Sequence, residues 1–172
     1  MIELEKTYLA KSLPAGLEKC KHKEIIDVYI PKAHPHPKIR IRKNGDKYEI
    51  TKKEPVADDP SHQNEQTIIL TEFEFNELSK FDGKKVHKIR YYYDYKGSTA
   101  EIDVFQGALK GLVLVDFEFE TVEDKAKFKM PEFCLAEVTS EQFVAGGMVC
   151  GKSYSDIEKD LKRFNYSKLF LD

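Results

Sequence analysis

The residues of this chain that could do chemistry come in pairs spaced two apart. Glu3 and Glu5, Arg40 and Arg42, Lys88 and Arg90, Glu101 and Asp103, and Asp116 and Glu118 each lie within a segment rich in β-branched or aromatic residues. Alternate side chains of a strand point the same way, so each pair shares a face, and Lys53 and Glu65 belong to similar segments. Arginine offers phosphate oxygens a bidentate fork and lysine a point charge. Clustered carboxylates suit a hard divalent cation such as Mg²⁺ or Mn²⁺. On any single strand this alternation is ordinarily a solvated face. Bases on some strands and acids on others point instead to a shared interior.

For these faces to meet, the strands must close around them. Segments at 2–9, 24–30, 38–43, 47–53, 65–70, 86–95, 99–105 and 112–120 read as eight strands joined mainly by turns. The expected fold is α+β: an eight-stranded antiparallel β-barrel or tunnel with flanking helices and a charged lumen. Two unit charges about 4 Å apart interact by about 4 kcal/mol at an effective dielectric near 20, so such a lining calls for a filling. A polyanion accompanied by divalent metal supplies one.

The hairpin at 38–53 turns at Asn44-Gly45-Asp46. Helices are expected at 14–23, at 71–81 behind a Thr71/Glu74 capping box, at 121–130, at 139–150 and at 154–164. Residues 54–64, rich in Pro, Asp and Ser, read as a mobile loop that could cover a site. His34 and His36 sit in a Pro-stiffened loop without a third ligand, so a metal site there carries little weight.

The 172 residues fit one domain spanning 1–172. Lys plus Arg number 28 against 30 Asp plus Glu, and a net charge of -2 argues against nucleic-acid binding. Cys20, Cys134 and Cys150 form no CxxC pair and read as reduced thiols. The opening MIELEKTYLA is too charged for a signal peptide and no apolar run approaches a membrane span, so a cytoplasmic protein without membrane attachment is expected.

The motifs together resemble the CYTH, or triphosphate tunnel metalloenzyme, family. Glu3-Leu4-Glu5 is similar to its N-terminal ExExK, Arg40-Ile41-Arg42 to RxR, Thr51-Lys52-Lys53 to TxK and Lys88-Ile89-Arg90-Tyr91 to KxRY. Glu101-Ile102-Asp103-Val104-Phe105 matches EIDVF, Asp116-Phe117-Glu118 resembles ExE, and Glu137-Val138-Thr139 is similar to the segment opening the last helical part. The resemblance implies an eight-stranded antiparallel tunnel acting on triphosphates with divalent metal. It implies metal binding by Glu3, Glu5, Asp103, Asp116 and Glu118, phosphate binding by Arg40, Arg42, Lys53, Lys88 and Arg90, and a supporting role for Glu65 and Glu101. Homodimers are common in the family, which leaves a homodimer open here. Three positions depart from its pattern: Thr7 stands where the inward lysine of ExExK belongs, Thr67 replaces an acid, and residues 141–151 lack a base.

The leading expectation is hydrolysis of inorganic tripolyphosphate or a related triphosphate or polyphosphate, with Lys88 orienting or activating the attacking water. An alternative is a class IV adenylate cyclase or a thiamine or nucleoside triphosphatase, with Tyr91, Tyr93 or Phe105 stacking on the organic group. A third is a polyphosphate- or triphosphate-binding module without catalysis, suggested by Thr7 and the missing base.

Overall fold

The computed structural model describes residues 2–57 and 59–171, except for the side chains of residues 2, 3 and 59–62. Its strands are β1 (Ile2–Ala10), β2 (His22–Ile30), β3 (Ile39–Asn44), β4 (Lys47–Val56), β5 (Asp59–Leu70), β6 (Lys84–Tyr95), β7 (Ser98–Phe105), β8 (Val113–Phe119) and β9 (Cys134–Glu137). They form one antiparallel sheet in the order β5-β4-β3-β2-β6-β7-β8-β1-β9. The start of β1 also pairs with β5, Ile2 facing Asn64 and Leu4 facing His62, so the first eight strands return on themselves. Further along the same edge of β1, Tyr8 pairs with Glu137, and β9 takes the place that β5 has left.

The antiparallel tunnel expected from alternation is therefore present, with a ninth short strand added. The expected loop at 54–64 is largely strand instead. Glu54 pairs with Asn64 and Pro55 with Gln63, and a register shift beside Pro55 accommodates the residue that cannot donate to a ladder. From composition alone Pro and Asp read as a break; Asp58 lies outside the described residues. Two-residue turns join other strands: in the turn after β3 Gly45 has φ 60, and after β6 Lys96 and Gly97 have φ 54 and 85, as a type I′ turn requires.

Helix is scarcer than expected. α1 (Glu72–Leu78) has the predicted Thr71/Glu74 capping box but stops short of Phe81. Residues 14–23 contain only a 3₁₀ turn at Leu17–Lys19, and β2 begins already at His22. α2 (Val122–Lys127) is shorter than 121–130, and the segment 139–150 breaks into a 3₁₀ turn and the single turn of α3 (Gly146–Val149). Glycines at the start of α3 weaken a longer helix but allow close approach. A Cβ on Gly146 would collide with the Tyr29 hydroxyl, and one on Gly147 with the Pro37 carbonyl. α4 (Tyr154–Lys162) buries Ile157 and Leu161 completely, each worth about 1.5–3 kcal/mol.

Apolar side chains form two kinds of core. Outward residues of the barrel, among them Tyr8, Ile102, Val115 and Phe117, pack beneath the surrounding loops. The second core lies inside the strands. Moving two residues along β1, β2, β6, β7 and β8 from Thr7, Asp27, Lys88, Asp103 and Asp116 reaches Leu9, Tyr29, Val86, Phe105 and Leu114, which share one buried cluster. Phe143, Val144, Val149, Ile157 and Leu161 from the C-terminal segment complete it. Together they stopper one end of the barrel, so the charged lumen is a blind cup.

Candidate functional site

The cup is a cavity of about 920 Å³. Its lining includes Glu5, Arg40, Arg42, Lys53, Glu65, Lys88, Arg90, Glu101, Asp103, Asp116 and Glu118, so the structure brings together every expected site residue whose side chain it describes. The metal role expected of Glu3 falls on a side chain outside the described residues. Sequence order hides how the charges are arranged. Around the ring, β4, β3 and β6 carry Lys53, Arg40, Arg42, Lys88 and Arg90, with β2 between β3 and β6. Then come β7, β8 and β1 with Glu101, Asp103, Asp116, Glu118 and Glu5. One wall is mainly cationic, with Asp27, Glu49 and Glu65 set among its bases, and the facing arc is acidic.

Where the walls meet, the charges are paired tightly. Asp103 is 1% exposed and accepts hydrogen bonds from Lys88 Nζ and, at 2.7 Å each, from Arg90 Nε and Nη2. Burial favours the neutral acid, yet the two cations outweigh it and hold Asp103 well below its ordinary pKa. Burial, only partly opposed by Asp103 and reinforced by Arg90 and Arg42, lowers the pKa of Lys88. Arg90 also donates to Glu101 and, at 3.2 Å, to Asp116. Burial pushes Glu101 up to about 7, and the neighbouring Glu118, Asp116 and Asp103 push the same way against Arg90.

At the level of Thr7, the hydroxyl donates to Asp116 Oδ1 at 2.7 Å, while Lys6 turns outward to Glu137. The site thus has a neutral donor where the family pattern places a lysine. Lys53 pairs with Glu5 at 3.0 Å and Arg40 with Glu65 at 3.6 Å. The Nε of Arg40 is buried without a hydrogen-bond partner. A buried, unsatisfied guanidinium donor is costly and suits an anion.

Several contributors were not singled out from sequence. Asp27 is 1% exposed and grips Arg42 through Nε at 2.6 Å and Nη2 at 2.7 Å. Tyr29, Tyr92 and the segment from Thr139 to Gln142 also line the cavity. Asp27 had a signal, as the one acid among Ile25, Ile26, Val28 and Ile30. Of the aromatic residues considered for stacking, Tyr91 and Tyr93 belong to the outward core, while Phe105 packs in the stopper and borders the cavity.

The fit of a divalent cation can be judged from the lining. Nine carboxylates and six Lys or Arg side chains border the cavity among the described residues, an excess of acid that disfavours a phosphate chain arriving alone. Glu5 faces Glu118 across β1 and β8, and Glu101 faces Asp116 across β7 and β8; like charges so placed repel. Hard oxygen donors on adjacent strands fit Mg²⁺ or Mn²⁺ in kind. Among the described residues no three His, Cys, Asp or Glu side chains are already gathered as a metal site. Glu5, Asp116 and Glu118 are the better candidates, because both oxygens of Asp103 are occupied by cations.

Comparison with known proteins agrees with this arrangement. An inorganic triphosphatase of Nitrosomonas europaea is 28% identical over 143 residues, 83% of this chain and 92% of that protein. An inorganic triphosphatase of Acetivibrio thermocellus is 36% identical over 70 residues, 40% of this chain and 44% of that protein. The solved structure of the inorganic triphosphatase NE1496 superposes with a TM-score of 0.64 at 24% identity, covering 87% of this chain and 95% of its own, a likeness of fold. The CYTH domain model matches residues 3–132, which carry the whole charged ring from Glu5 to Glu118, and the chain therefore belongs to the CYTH domain family.

Proposed function

We propose that this protein hydrolyses inorganic tripolyphosphate or a related short triphosphate inside the cup, with Mg²⁺ or Mn²⁺. The observation that carries this reading is the segregation of the lining into a cationic arc on β4, β3 and β6 and an acidic arc on β7, β8 and β1. A linear polyanion lies along the first, and Glu5, Asp116 and Glu118 would hold the metal on the second. When bound, the metal supplies charge neutralisation at the phosphate oxygens.

The chain's own residues do the positioning. Arg40, with its free buried Nε, takes phosphate oxygens as a fork; Lys53 and Arg90 add further donors. Lys88, pinned by Asp103, orients the attacking water for in-line displacement at the terminal phosphorus. The stopper fixes the depth of the cup and excludes water from its base. Names of the related triphosphatases support this reading. Three free cysteines are in keeping with a reducing, cytoplasmic setting, and no helix among the described residues is long and apolar enough to cross a membrane.

A second reading, binding without turnover, draws on Thr7, which leaves Asp116 a hydroxyl partner in place of a lysine. The test is product analysis after incubation with tripolyphosphate, ATP and thiamine triphosphate. Orthophosphate released fastest from tripolyphosphate supports the proposal. Cyclic AMP from ATP would favour cyclisation, and metal-dependent binding without release would favour the binding module.

A further inference from the structure

The two arginines of the Arg40-Ile41-Arg42 motif, though alike in sequence, have different neighbours. In the β2–β3 register Tyr29 faces Arg40 and Asp27 faces Arg42. Asp27 closes on the side of the Arg42 guanidinium, taking Nε at 2.6 Å and one Nη2 hydrogen at 2.7 Å. Of five guanidinium N–H groups, this leaves those on Nη1 and the second on Nη2. Arg42 is 8% exposed and Asp27 1%, and both border the cavity, so the pair is inside the site. Burial alone would raise the pKa of Asp27, but Arg42, with help from Arg40 and Lys88, lowers it, so the pair stays ionised. Arg40 has no such restraint: its Nε is free and its ion pair with Glu65 is longer, at 3.6 Å.

We propose that Asp27 is a positioning residue for the triphosphate reaction, holding Arg42 side-on so that it meets substrate with Nη1 while Arg40 grips as a fork. The inference rests on the proposed function, since it takes tripolyphosphate as the molecule in the cup. An arginine already committed through Nε cannot swing onto the phosphate chain. It stays where charge develops and releases product without first having to let go of a bidentate grip.

The test reads Arg42 directly and then through turnover. In isotope-labelled protein, the Arg42 Nε–H signal, identified by its loss in Arg42→Gln, should be protected from exchange. It should stay in place when tripolyphosphate and Mg²⁺ are added, while the Arg40 Nε–H signal moves. In Asp27→Asn the Arg42 signal should lose protection and move on tripolyphosphate addition, and kcat should fall about tenfold or more with KM within about threefold of wild type. A purely structural role would lower the folded fraction without redirecting Nε–H.

Should Asp27→Asn fail to fold because a buried cation is left unpaired, Asp27→Asn/Arg42→Gln removes both charges. Its kcat should equal that of Arg42→Gln alone, and a further loss of about tenfold would overturn the proposal, as Asp27 would then act independently. The proposal is also overturned if the wild-type Arg42 Nε–H moves as far as that of Arg40, or if folded Asp27→Asn keeps kcat within about twofold. Wild type that binds tripolyphosphate but releases no phosphate would refute the hydrolase reading, and the Arg42 signal would still decide the role of Asp27. No binding at all would refute both.

Discussion

Replacing Asp103 by Asn separates two roles that predict opposite signs. The carboxylate is 1% exposed and receives Lys88 and both near-side nitrogens of Arg90. Asn keeps the shape but leaves two buried cations short of one negative charge. Removing one partner of a buried ion pair costs about 3–5 kcal/mol. For a chain of this size that corresponds to a fall in Tm of roughly 6–20 °C. If Asp103 were mainly a metal ligand, the metal-free protein would lose a repelling acid and become more stable. The assay is thermal unfolding followed by circular dichroism at neutral pH with a chelator present. A Tm for Asp103→Asn equal to or above wild type would refute the clamp. The same linkage has a pH signature. Because the folded-state pKa lies below the ordinary 3.8, the contribution is complete above that value and is lost as pH falls through the folded-state pKa.

Lys88→Ala should lower kcat by about a hundredfold with a smaller change in KM, measured by steady-state phosphate release, because the amine acts on the attacking water more than on binding. Equal kcat would remove that assignment. Glu101, raised from 4.5 to about 7, binds its proton more tightly folded than unfolded. Metal-free stability should therefore fall between about pH 4.5 and 7, by about 3 kcal/mol in all, and Glu101→Gln should flatten that slope in urea titrations. A stability that rises over this window in wild type would contradict the burial-driven shift.

Much of this architecture was legible because a strand announces which face is which. Alternation in Glu5 to Thr7, Arg40 to Arg42, Lys88 to Tyr92 and Glu101 to Phe105 was enough to set the lumen-facing residues and the barrel. Partnerships across the lumen were harder to read. Nothing local to Asp103 says that Lys88 and Arg90 will fill its oxygens; that follows from the β6–β7 register, in which Arg90 faces Asp103. Asp27 is hard to read from sequence because one acid in an apolar strand has no spacing pattern, and its meaning depends on facing Arg42. The stopper was also hidden. Leu9, Val86 and Leu114 look like any strand residues until the C-terminal segment packs on them. That segment reads weakly as helix because Gly146 and Gly147 are there for contact with Tyr29 and Pro37.

The central claim is that the acidic arc serves a metal while the cationic arc serves a phosphate chain. It is tested most directly by phosphate release from tripolyphosphate as Mg²⁺ or Mn²⁺ is titrated, in wild type and in Glu5→Gln/Glu118→Gln. Turnover should require the metal, and the variant, lacking two facing carboxylates, should need at least about tenfold more of it for half-maximal rate. Release that is undiminished by a chelator, or a variant with the same metal dependence as wild type, would contradict the claim.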